Sequence, residues 1–183
     1  MGDLNLMTTY LVQTPAQLDK VALWVAAQVS NPSLTLCWAS HHKTNVDSVK
    51  AMLQTRLSNI AVGEDDSGNI KAIIYFEFRD EQDKVTEKWI TYGSVVVDAD
   101  DWKADRMEAF NAVLRFVYEY CHSQNVVKGE LWTLEKIFKS HQTVLGDKFL
   151  TVLDDMTKPP WGRVIRFYID VKAAMEAVAP WQY

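Results

Sequence analysis

A chain of 183 residues has the length for one well-buried core, and a single domain over residues 1–183 is expected. With 48% hydrophobic and 23% charged residues, a largely disordered chain is excluded. A formal net charge of -5 with no basic run argues against a nucleic-acid partner, because phosphate neutralisation needs concentrated Lys and Arg.

Cys37 and Cys121 stand far apart without paired spacing, so neither a disulfide framework nor a zinc site is indicated. The start, MGDLNLMTTY, has no basic beginning and no apolar run of signal length. No later stretch approaches a membrane span, so a cytoplasmic protein without membrane contact is expected.

Thr8 to Val12 forms a short strand, and Thr14-Pro15-Ala16-Gln17 then reads as a capping box with proline at the first helical position. Leu18, Val21, Ala22, Val25 and Val29 recur at three and four residue steps, until Asn31-Pro32 stops the helix. Thr44 or Asn45 caps a second helix bearing Val49, Met52, Leu53 and Leu57 on one side. From Ile60 the period changes to that of a hairpin, IAVGEDD and IKAIIYFEF, turning at Asp66-Ser67-Gly68-Asn69.

The polar stretch RDEQDKVTE reads as a turn, and WITYGSVVV as the next strand, with Gly93 marking a bulge. After DADDWKAD comes the clearest helix, whose Met107, Phe110, Leu114, Val117, Tyr118 and Cys121 share one stripe. Val126 to Thr133 supplies a fifth strand, followed by a helix carrying Leu134, Ile137, Phe138, His141 and Leu145 and closing at Gly146. FLTVL and RVIRFYIDV form a final hairpin around DDMTKPPWG, whose prolines and glycine read as a breaker.

This order, β-α-α-β-β-β-α-β-α-β-β, resembles that of the GNAT N-acyltransferases over nearly the whole chain. Two local stretches add to it: the acidic hairpin AVGEDDSGNIKAIIYF, and LGDKF, which resembles the family's Leu-Gly-Phe at a helix end. The resemblance implies an α/β (α+β) fold with a mixed, mostly antiparallel central sheet flanked by helices. It also implies acetyl-CoA as donor, an amine acceptor, and a loop of the type Arg/Gln-x-x-Gly-x-Gly/Ala, whose amides at a helix start hold the diphosphate.

The matching stretch here is VVVDADDWKADRMEAF. If acyl-CoA binds, Val95 and Val97 would pair with the pantetheine arm, and Lys103, Ala104, Asp105, Arg106 and Met107 would meet the diphosphate. Asp105 and Met107 stand where the glycines are expected, and the neighbouring aspartates repel a diphosphate. Asp98, Asp100 or Asp101 also serves as an ordinary helix cap.

The family's thiolate-protonating tyrosine is replaced by Gln142 or Val144, according to register. Glu77 is a candidate base if burial raises its pKa, and Tyr92 is a second weak catalytic candidate. His41-His42, His122 and His141 have no ligand partners at metal spacing, so no metal is expected.

Two functions follow. One is an N-acetyltransferase with a non-standard donor loop. The other, favoured by the missing glycines, is a fold retained for protein contacts, with Trp102, Trp161 and Trp181 as exposed contact residues. The turn DADDW resembles that of small acyltransferase-like proteins of tailed phages, which implies a virion or host-interaction role.

Overall fold

The computed structural model describes residues 7–28, 45–54, 59–81, 84–159 and 161–178. The strands are β1 (Thr8–Leu11), β2 (Ile60–Glu64), β3 (Ile70–Glu81), β4 (Lys84–Val97), β5 (Val126–Leu134), β6 (Leu150–Lys158) and β7 (Gly162–Asp170). The helices are α1 (Pro15–Ala27), α2 (Val46–Gln54), α3 (Ala99–Lys103), α4 (Glu108–Ser123), α5 (Glu135–Leu145) and α6 (Val171–Val178). The chain forms two compact units, Met1–Tyr75 with Gly93–Val113, and Phe76–Tyr92 with Leu114–Tyr183. Strands β3 and β4 and helix α4 contribute to both.

In the first unit β1, β2 and the first half of β3 pair antiparallel, Tyr10 against Val62 and Val62 against Ile73. Their alternating side chains meet α1 and α2, so that Leu18, Val21, Val25, Val49, Leu53, Ile60, Val62, Ile73 and Val96 form one buried cluster. Helix α1 starts where its capping box predicts: Gln17 N donates to Thr14 Oγ1 at 3.3 Å, and Thr14 N donates to Gln17 Oε1 at 3.1 Å. Asn45 caps α2 through a bond from Ser48 N at 2.8 Å. Lys20 on α1 reaches the β2–β3 turn, donating to Glu64 Oε1 and to the Gly68 carbonyl, each at 2.7 Å.

On the other side of β2, the first turns of α4 pack over Gly63. A Cβ at Gly63 would lie 2.4 Å from Val113 Cγ2. Only hydrogen fits there, which is why a glycine interrupts an otherwise branched strand.

In the second unit β4 runs parallel to β5, with Trp89 opposite Lys128, and β5, β7 and β6 follow antiparallel. The register shift in the β4–β5 ladder lies between Lys88 and Trp89; the surroundings of Gly93 lie outside the described side chains. Ile165, Phe167 and Ile169 turn to one face and are buried. Phe138 and His141 of α5 stack edge-on against Phe167, at ring separations of 4.8 and 5.0 Å. Tyr118 of α4 lies 3.0 Å from His141 Nδ1 through its hydroxyl.

Three segments differ from expectation. RDEQDKVTE is largely strand, since β3 extends to Glu81 and β4 begins at Lys84. Asp154 to Thr157 belong to β6 and are no breaker; the strand is exposed on both faces over most of its length, where polar side chains cost nothing. Residues 171–178 form α6, capped by Asp170 through a 3.0 Å bond from Ala173 N, a helix absent from the expected order, which ends on two strands with Val171 in the last. Leu57, the stretch 33–44 and Trp181 lie outside the described residues.

Candidate functional site at the start of helix α4

β4 ends at Val97, and Asp98 turns the chain by capping α3, its Oδ1 accepting from Asp100 N at 2.9 Å and Asp101 N at 3.4 Å. Residues 104–107 then lead into α4. Met107 has φ 47°, a left-handed conformation that costs a side-chain-bearing residue roughly 1–2 kcal/mol. Its side chain is 1% exposed and joins the core, which offsets that cost. The backbone at Met107 thus makes the turn a glycine would make, with a methionine in place.

The first amides of a helix have no partner within it. Here two of them are taken by a side chain from α3: Ala109 N donates to Asp101 Oδ1 at 3.1 Å and Phe110 N to Asp101 Oδ2 at 3.0 Å. Both carboxylate oxygens are used, and they lie at the positive end of the α4 dipole. Burial is the largest influence on Asp101 and raises its pKa, while the two amide bonds act in the opposite direction.

Asp101, Ala104, Asp105, Arg106 and Glu108 line one open depression, with three carboxylates to one guanidinium. Lys103, Ala104, Asp105 and Arg106 are exposed; Val95 and Val97 are buried, at 5% and 0%. The long helix therefore begins later than its acidic prelude suggests. Asp98 caps a separate short helix, and Asp101, offered only as an alternative local cap, holds α4 from a distance. Glu77 is half-buried on β3. Tyr92 lies on β4; Glu77 and Tyr92 both fall in the second unit, whereas Val95, Val97 and residues 103–107 fall in the first.

At the place expected for the tyrosine acid, Gln142 is half-buried and Val144 is 4% exposed. The titratable group of that stretch is His141, fully buried, with burial holding its pKa down at about 3. Trp102 and Trp161 are half-buried rather than exposed, and the exposed tryptophan among the described residues is Trp132, at 46%. Its position on β5 alternates with core residues, a signal the tryptophans beside turns obscured. Among the described residues no His, Cys, Asp or Glu side chains converge in a metal-binding group, and no helix is long and apolar enough to cross a membrane.

No family model and no curated protein matches the sequence. Solved structures do match the fold. A GCN5-related N-acetyltransferase from Kribbella flavida aligns over 90% of this chain and 97% of its own, with TM-score 0.61 and 9% identity. A GNAT-family acetyltransferase from Staphylococcus aureus aligns over 91% and 100%, with TM-score 0.57 and 12% identity. A chain of the NatC complex bound to Gag peptide and CoA aligns over 90% and 98%, with TM-score 0.60 and 8% identity.

The protein is a mixed α/β protein. Its fold is the GNAT fold in a divergent form.

Proposed function

We propose that this chain uses the GNAT fold without the family's acetyl-CoA chemistry and acts through protein contacts. The observation that carries the reading is Asp101. Its two oxygens already accept from Ala109 N and Phe110 N, amides of the α4 start just beyond residues 103–107, where the family resemblance places a diphosphate. A diphosphate arriving there would have to displace a carboxylate and then sit beside it. Like unit charges about 4 Å apart cost on the order of 4 kcal/mol near a protein surface. Asp105 and Glu108 add to the repulsion, so these residues do not fit the donor's diphosphate.

The surface this reading calls on includes Trp132, with Val152 and Leu153 at 50% and 49% exposure. The phage-like DADDW turn suggests a virion or host protein as the partner's setting. The test is a calorimetric titration with acetyl-CoA to millimolar concentration, paired with thermal melting. Neither heat nor stabilisation is expected; saturable binding, which would add about 2.7 kcal/mol of stability at a hundredfold excess over Kd, overturns the proposal.

One observation favours the second reading, an N-acetyltransferase with a non-standard donor loop. Met107 retains the left-handed turn of a glycine. On that reading acetyl-CoA binds, and changing Lys103 and Arg106 together weakens it.

A further inference from the structure

Strand β6 closes one side of the second unit's sheet, and among the described residues it pairs with β7 alone. Among the described residues its other backbone edge is unpaired, and seven of its nine residues are exposed, Leu150 and Met156 being half-buried. Such an edge is a template for another strand unless charges or bulges blunt it. A bulge interrupts β6 between Val152 and Asp154, but 154–158 is regular, pairing Asp154 with Arg166, Met156 with Val164 and Lys158 with Gly162. Asp154, Met156 and Lys158 therefore project from one face, with Asp155 and Thr157 on the other.

We infer that β6 is a homodimer interface, in which two copies pair antiparallel about a two-fold axis through Met156. The charges select this register. With the axis perpendicular to the sheet, paired residues must share a face, so the axis passes through a residue. Centred on Asp154 or Asp155, it sets an aspartate against its own copy; centred on Leu153, it crosses the bulge. Centred on Thr157, it carries both aspartates opposite the two prolines that follow the strand. Centred on Met156, it places Asp154 opposite the partner's Lys158, and Lys158 opposite the partner's Asp154. Asp155 then faces a threonine, and its charge is already held by Arg163, whose Nε donates to it at 2.9 Å.

Opposite charges facing each other across antiparallel strands attract, and an interface of this isologous kind closes at two copies. Lys158 rests over the Trp132 ring at 5.0 Å in the single chain, and exchanges that contact for the carboxylate on pairing. The inference stands apart from the donor-loop reading.

Sedimentation velocity of the full chain, from micromolar to millimolar, tests it. The unmodified chain should show a salt-sensitive dimer. Lys158→Asp and Asp154→Lys, each confirmed as folded by thermal melting, should each weaken dimerisation roughly tenfold, since two attractions become repulsions. An equimolar mixture of the two restores opposite charges at both positions and should recover the dimer. If Asp154→Lys fails to fold, because it sets a second cation beside Arg166, Asp154→Asn replaces it and should weaken the dimer a few-fold. A chain monomeric throughout, a dimer indifferent to these changes, or a mixture no tighter than its components overturns the inference.

Discussion

The carboxylate of Asp101 ties down two amides eight and nine positions further along the chain. Capping rules look three residues ahead, so the sequence could offer Asp101 as a cap without revealing which helix it serves. Replacing it with alanine leaves both amides without the carboxylate and should cost about 1 kcal/mol in urea unfolding, with about 2 as the upper range for such caps. The sign of its pH dependence is opposite to that of a surface aspartate. Because burial raises the folded pKa above the ordinary 3.8, the proton is held more tightly in the native state. Its contribution is fully present below 3.8 and is lost as pH rises through the raised value, so the stability of the native chain relative to Asp101→Asn should fall over that interval.

Met107 tests the same loop from the backbone side. Truncation to alanine removes a buried side chain and keeps a Cβ at positive φ, at a cost of about 2–5 kcal/mol. Glycine removes the same side chain but relieves the backbone, and should be the milder change by about 1 kcal/mol. This inverts the usual ranking of glycine below alanine, and chemical denaturation of the two variants reads it directly.

At the level of elements, most of the architecture was legible because periodicity changes cleanly along the chain. The stripe from Met107 to Cys121 is buried as its spacing predicts, and the β-branched runs at 70–76 and 95–97 are strands. The failures have a common cause in exposure. β6 has no buried face to enforce alternation, so its Asp-Asp-Met-Thr reads as a turn, and α6 is only eight residues long, too short for the 3.6 period to stand out. The packing of β2 on α4 is likewise invisible in the sequence, because it rests on the absence of a side chain. Gly63→Ala would place a methyl 2.4 Å from Val113 Cγ2 and 3.1 Å from Met7 Cε. Overpacking of this kind costs about 1–3 kcal/mol. Since the obstacle is the tip of a side chain, Val113→Ala in the same chain should recover part of the loss, giving a favourable coupling in a double-mutant cycle.

For the whole molecule the most consequential titration is that of His141, which the sequence presented as an ordinary packing residue. It is fully buried, bonded to Tyr118, and held neutral by burial down to about pH 3. In the unfolded chain the same imidazole takes a proton near its ordinary value of 6.5. Below 6.5 the unfolded state therefore binds a proton that the native state refuses. The stabilisation present at neutral pH is lost as pH falls through that interval, at up to about 1.4 kcal/mol per pH unit. Net stabilities of domains are about 5–15 kcal/mol, so this one group can bring the fold near its limit before the carboxylates contribute. His141→Gln keeps an acceptor for the Tyr118 hydroxyl but cannot titrate. Urea unfolding at a series of pH values from 7 to 4 should then show a shallower decline for the variant than for the native chain, even if the variant starts lower. Parallel profiles would mean that His141 reaches solvent, and with it a proton, without the unit opening.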